Sequence, residues 1–176
     1  MADKLPPMRP ELAFVSVVLA ALACGCGGSG ASAPAMASSN GTRTVSFSLP
    51  SNEGALVSVP ISGARSTVLD FFSPTCEPCK EKVPALHAKQ SELAARGARL
   101  VLVGVVSDSE STDDARRALA SWGVVAPFLV DRNGTGRREA GITALPATII
   151  LDASGAVRWV ASSTSRAEDV VAALPE

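Results

Sequence analysis

Two cysteines separated by two residues, Cys76-Glu77-Pro78-Cys79, carry the most specific chemistry in the sequence. At this spacing the sulfurs can close a small disulfide ring if they lie on the first turn of a helix. Unpaired N–H groups and the positive end of the helix dipole there favour a thiolate. Cys76, the more N-terminal and more exposed, is then the nucleophile, and Cys79 is the thiol that attacks a mixed disulfide on Cys76 and releases the product. Half of a zinc site and an inert staple are the competing readings. A structural zinc needs about four ligands, yet Cys24 and Cys26 lie far upstream and His87 is the sole histidine. A ring this small constrains the unfolded chain little, so redox exchange outweighs both.

The neighbouring segments must hold the pair in place. Thr67 to Phe72 reads as a buried central strand, and Asp70 is its anomaly. A carboxylate among Val68, Leu69, Phe71 and Phe72 is costly to bury ionised, so its pKa should rise toward the range useful for proton transfer. Behind the cysteines, Val83, Leu86, Leu93 and Ala94 form one apolar helix face that ends near Arg96-Gly97. Pro84 should kink that helix, and His87 reads as a helix-surface residue. Glu77 places a negative charge beside Cys76, opposing the dipole. A less acidic Cys76, as in a reductase rather than a strong oxidant, is the expectation.

Residues 44–49 and 55–59 alternate apolar and polar around a turn and predict a hairpin. Leu100 to Val106 is a continuous apolar run, as in a parallel strand covered on both faces. Ser109 to Thr112 can cap a helix bearing Ala115, Leu119 and Trp122 on one side, which Gly123 stops. Phe128 to Val130 reads as a short edge segment before a turn at 131–134, and Arg132, Arg137 and Arg138 as a solvated face. Pro146 opens an apolar strand that runs to Asp152; Ala156 to Val160 returns antiparallel to it, and Arg166 to Leu174 closes with a helix. The pattern is α/β, a mixed sheet between helices.

With 176 residues, 47% of them apolar, the chain suits one domain plus a tail. Sixteen basic residues against 17 acidic, with no basic run beyond adjacent arginine pairs, exclude an electrostatic footprint for nucleic acid. Lys4 and Arg9 precede the apolar run Leu12 to Ala23, too short against the roughly 20 residues of a spanning helix, so residues 1–23 read as a signal peptide. Ala21-Leu22-Ala23-Cys24 resembles a bacterial lipobox, which makes Cys24 the expected lipidated residue, ahead of Cys26. Residues 24–43, rich in Gly, Ser and Ala, are expected to act as a flexible tether.

The cysteine block with its strand and helix resembles the active site of the thioredoxin superfamily. Cys-Glu-Pro-Cys is similar in particular to the membrane-tethered TlpA/ResA branch of thiol-disulfide oxidoreductases. The resemblance extends over about residues 44–176 and implies a thioredoxin-like fold with an N-terminal β-hairpin. It implies that Asp70, six residues before Cys76, helps to deprotonate Cys79, and that Pro84 is the family's kinking proline. It further implies that Pro146 is cis and faces the disulfide, so that Leu145 and Pro146 dock substrate while Glu77 and Pro78 tune the pair. No cofactor beyond the redox-active disulfide is implied. The expected partners are disulfide-containing extracytoplasmic proteins, apocytochrome c and copper-site proteins among the candidates, with a membrane thiol donor. The expected form is a monomer, exported and lipid-anchored on the periplasmic side of a bacterial membrane. Some relatives in that branch carry a glutamate three residues after the second cysteine, where this chain has Lys82. A thiol peroxidase would place threonine three residues before the reactive cysteine, where Ser73 stands. A Sco-like copper carrier would need three residues between the cysteines and a distal histidine.

Overall fold

The computed structural model describes residues 43–175. The expected signal peptide, nearly all of the tether, and Cys24 lie outside the described residues. Twelve elements follow one another: β1 (Phe47–Pro50), β2 (Leu56–Val59), β3 (Ser66–Phe72), α1 (Cys79–His87), α2 (Gln90–Ala95), β4 (Ala98–Val105), α3 (Thr112–Ser121), β5 (Phe128–Asp131), α4 (Thr135–Glu139), β6 (Ala147–Asp152), β7 (Val157–Val160) and α5 (Ala167–Ala172). Five strands form one mixed sheet in the order β5-β4-β3-β6-β7, and β1 pairs with β2 in a separate antiparallel hairpin. The fold is thioredoxin-like, with the hairpin expected from its alternating pattern.

Strand β3 is buried along all seven residues, as its apolar residues Val68, Leu69, Phe71 and Phe72 lead one to expect of a strand covered on both faces. It pairs in parallel with β4 and antiparallel with β6. Successive side chains of a strand point to opposite faces, and the packing follows that parity. Leu69 and Phe71 join Val103, Ile149 and Leu151 beneath the hairpin residues Val45, Phe47, Leu49 and Val59. On the other face Phe72 packs with Cys79 and Val83 of α1 and Leu119 of α3, while Val68 packs with Leu86 of α1 and Val170 of α5. The two crossovers β3-α1-α2-β4 and β4-α3-β5 advance in the same direction across the sheet. With the usual handedness their helices fall on one face. The opposite face is covered by the hairpin and by α4, and Gly136 of α4 lets Phe47 and Leu49 approach closely.

Three details correct or extend the expectations. The single helix behind the cysteines is two, α1 and α2, with Ala88 and Lys89 between them; Pro84 lies inside α1. Its missing N–H cannot bond the previous turn, while its carbonyl still accepts from Ala88 at 2.9 Å. Second, β5 is an edge strand that is covered: the Asn52 side chain accepts from Phe128 N–H at 2.9 Å, and Asn52 N–H donates to the Phe128 carbonyl at 2.8 Å. Such cover blunts an edge that would otherwise pair with other chains. Third, residues 135–139 form helix α4 directly after the expected turn. Its N–H groups at Gly136 and Arg137 donate to the carboxylate of the buried Asp131, at 3.2 and 2.8 Å.

Gly155 shows how tightly the last hairpin is tied in. It turns at φ +84°, its carbonyl accepts from Val45 N–H at 2.8 Å, and a Cβ there would lie 2.6 Å from the Val45 carbonyl oxygen. Both the left-handed backbone and the contact penalise a side chain. Gly155→Ala should therefore lower the unfolding free energy by about 2 kcal/mol, read from urea denaturation.

Candidate active site

The register of β3 and β6 assembles the site. Antiparallel pairing sets Phe71 opposite Ala147, so the chain leaving β3 toward the cysteines and the chain entering β6 at Pro146 meet at the same sheet end. Cys76 and Cys79 are joined in a disulfide with an S–S distance of 2.03 Å and a Cα–Cα distance of 5.3 Å. The two do not share a helical turn. Helix α1 begins at Cys79, with Pro78 as N-cap, and Cys76 lies in the preceding turn, where its carbonyl accepts from Cys79 N–H at 3.1 Å. No side chain caps α1; its first N–H groups at Cys79 and Lys80 donate to the carbonyls of Cys76 and Glu77, at 3.1 and 3.2 Å, and the positive end of its dipole lies on the Cys76 side. Cys79 is fully buried and Cys76 half-buried, so Cys76 is the accessible sulfur.

Glu77 is exposed and pairs with Lys80 at 2.6 Å. An exposed pair contributes little to stability, but Lys80 offsets part of the field that Glu77 directs at Cys76. Thr75 donates its hydroxyl to Glu110 at 3.2 Å, so the threonine next to the reactive cysteine is engaged elsewhere.

The Leu145-Pro146 peptide is cis, as the resemblance implied. A second cis bond, Val59-Pro60, was not anticipated. Leu145 is half-buried and packs against the clusters on both faces of the sheet. Two grooves meet at this residue. One, of about 900 Å³, is lined by Ser73, Thr75, Glu110, Arg132 and Arg137; the other, of about 400 Å³, by Pro78, Lys82, Thr143, Pro146 and Val160. The segment before Pro146 is held by Arg137, expected on a solvated face. Its guanidinium instead donates to the carbonyls of Ile142 and Thr143, at 3.0 and 2.7 Å. Nothing local to Arg137 in the sequence distinguishes it from its neighbour Arg138.

Asp70 is 1% exposed. Strand parity puts it on the face of Val68 and Phe72, under α1. Burial raises its pKa to about 7, against the lowering effects of a hydrogen bond from Thr148 and the positive charge of Lys82. The Thr148 hydroxyl donates to Asp70 Oδ1 at 2.8 Å, and Oδ2 has no partner among the described residues. The energetics explain why the strand tolerates it. Each of Val68, Leu69, Phe71 and Phe72 contributes about 1.5–3 kcal/mol by burial, whereas an ionised, half-satisfied carboxylate costs several kcal/mol. The apolar residues decide where the strand lies, and Asp70 answers by holding its proton to neutral pH. Thr148 was missed in the sequence, although a hydroxyl among Ala147, Ile149, Ile150 and Leu151, two residues after Pro146, is a visible irregularity.

The profile of the Redoxin family matches residues 29–174. The chain belongs to the Redoxin family. Among curated proteins it is similar to thioredoxin-like protein YneN of Bacillus subtilis, 27% identical over 67% of this chain and 68% of that protein. It is likewise similar to the thiol-disulfide oxidoreductase ResA of the same species, 25% identical over 72% of this chain and 69% of that one. Among solved structures StoA of Bacillus subtilis superposes with TM-score 0.63 at 22% identity, over 75% of this chain and 98% of StoA. A thiol:disulfide interchange protein DsbE from Chlorobium tepidum gives 0.62 at 25% identity, over 74% and 94%. Redoxin relatives with these names and the Cys76-Cys79 disulfide make the chain a thiol-disulfide oxidoreductase.

The raised pKa of Asp70 has a consequence for stability. A carboxyl that holds its proton more tightly when folded contributes stability fully present below its unfolded value near 3.8, and that contribution is lost as pH rises through about 7. Asp70→Asn removes the titration. The variant should gain about 4 kcal/mol over the wild type between pH 4 and pH 8, measured by denaturation at both pH values; a pH-independent difference would contradict the assignment.

Proposed function

We propose that this thiol-disulfide oxidoreductase works as a reductase on disulfides of exported proteins. The observation that carries the reading is the pairing of an accessible Cys76 with a buried Cys79 on the sheet face that also buries Asp70. In the reduced protein the Cys76 thiolate, favoured by the dipole at the start of α1, attacks one sulfur of a substrate disulfide and expels the other as a thiolate. Cys79 then gives its proton to Asp70 and attacks Cys76 Sγ. The bond between Cys76 and substrate breaks, the Cys76-Cys79 bond forms, and the second substrate sulfur leaves as a thiolate. Two electrons have passed from the enzyme pair to the substrate. Leu145 and Pro146, at the meeting of the two grooves, dock the substrate chain, while Glu77 and Pro78 tune the pair.

The oxidised pair must be reduced again, and a membrane thiol donor is the expected source. The signal-like segment 1–23, the lipobox-like Cys24 and the Gly/Ser/Ala stretch behind it support an exported, lipid-tethered protein at the periplasmic side of a bacterial membrane. Apocytochrome c, whose cysteines must be reduced before haem attachment, is a candidate substrate.

Two measurements test this reading. Cys79→Ser should accumulate mixed disulfides through Cys76 with extracytoplasmic proteins, whereas Cys76→Ala should accumulate none. The reduction potential of the pair, equilibrated against glutathione or dithiothreitol, should fall near thioredoxin's roughly −270 mV; a value near DsbA's roughly −120 mV would make the protein an oxidant instead. For the tether, cells fed labelled palmitate should label the wild type and leave Cys24→Ala unlabelled.

A further inference from the structure

Among the described residues Asp70 has a single hydrogen-bond partner, a side chain with its own route to solvent. Thr148 faces Asp70 across the β3-β6 pair, and its hydroxyl donates to Oδ1 at 2.8 Å. The same half-buried residue lines a cavity of about 330 Å³ between α1 and α5, together with Lys82, Leu86, Pro146, Arg166 and Glu168. Thr148 is therefore where the buried carboxyl of the sheet meets the outside. Oδ2 is buried and has no partner among the described residues, and the carboxyl lies on the face covered by α1, the helix that starts at Cys79.

We propose that Thr148 is a positioning residue of the resolving step, fixing Asp70 through Oδ1 so that Oδ2 remains the oxygen that takes the proton of Cys79. The inference rests on the role given to Asp70 above. Two properties follow from one hydrogen bond. The donor selects a carboxyl orientation, since a group held at one oxygen presents the other in a fixed direction. It also favours the charged form of Asp70, as any donor to a carboxylate does. The charged groups around Asp70 act with it or at a distance. Lys82 of α1 favours the carboxylate; Glu81 of α1, and Arg166 and Glu168 at the start of α5, line the same cavity; Leu102, opposite on β4, carries no charge. Of these, Thr148 alone hydrogen-bonds the carboxyl among the described residues.

Thr148→Val keeps the side-chain shape and removes the hydroxyl. The test follows the resolving step alone, starting from the full domain loaded with glutathione on Cys76. Cys79 attacks Cys76 Sγ, the bond to glutathione breaks, the Cys76-Cys79 bond forms, and glutathione leaves as a thiolate. The rate of its release is recorded against pH for wild type, Thr148→Val, Thr148→Ser, Asp70→Asn and the double variant T148V/D70N. Loss of a donor to the carboxylate should move the Asp70-dependent inflection of Thr148→Val upward by about one pH unit. Thr148→Ser, which keeps the hydroxyl, should restore the wild-type profile, and in the Asp70→Asn background Thr148→Val should change nothing. A Thr148→Val profile that superposes on the wild type while Asp70→Asn alters it overturns the proposal and leaves the role of Asp70 standing. A Thr148→Val shift that persists without Asp70 overturns it as well, because the effect would then bypass the carboxyl. If Asp70→Asn itself superposes on the wild type, the reading of Asp70 as the base fails, and the proposal with it.

Discussion

Complete burial of strand β3 is the constraint on which the rest depends. A strand covered on both faces must have parallel or antiparallel neighbours on each edge and apolar layers above and below. The chain supplies β4 and β6 at the edges, the hairpin on one side and α1, α3 and α5 on the other. Function follows from the geometry at one end of this strand. The C-terminal end of β3 releases the chain into the cysteine turn, and the antiparallel partner β6 begins at that same end with Pro146. Two segments about seventy residues apart in sequence are thereby adjacent without any bond made for that purpose.

The cost of that arrangement falls on Asp70. An all-apolar β3 would remove the desolvation penalty and the carboxyl oxygen that has no partner among the described residues, but it would also remove the buried proton acceptor under the cysteine helix. Its neighbours set how far the proton affinity rises. Burial dominates, and Thr148 and Lys82 pull back from opposite sides, one by a hydrogen bond through the sheet and one by charge from the helix. A group tuned near neutrality by these opposed influences responds to the loss of any one of them.

Much of this was legible in the sequence because the relevant signals are local. The apolar run of β3, the cysteine spacing, the alternation in the hairpin and the capping residue Ser111, whose side chain accepts from Asp114 N–H at 3.1 Å, are each written within a few residues. What was missed depends on distant partners. Helix α4 is five residues long with no apolar period, and it exists because the buried Asp131 receives its first N–H groups. Arg137 looked like a surface charge, and only the fold brings the Ile142 and Thr143 carbonyls to its guanidinium. The placing of Cys76 before the helix rather than within its first turn reflects Pro78, which takes the N-cap position and starts the helix at Cys79.

Lys82 shows how a change of one side chain can be absorbed by the scaffold. It lies one turn after Cys79, where similar proteins of the resembled branch can carry a carboxylate. Here its ammonium donates to the Ser163 carbonyl at 2.6 Å. That bond ties α1 to the loop between β7 and α5 and fixes the charge on the rim of the cavity that Thr148 lines. A carboxylate at the same place would repel Asp70 and raise its proton affinity further; a fixed cation lowers it. With the acid buried in the sheet, the counter-charge is best placed on the helix, and this chain has both. The buried acceptor and its tuning cation therefore belong to one electrostatic unit that spans β3, β6 and α1, even though only Asp70 lies within the strand that leads into the cysteine turn.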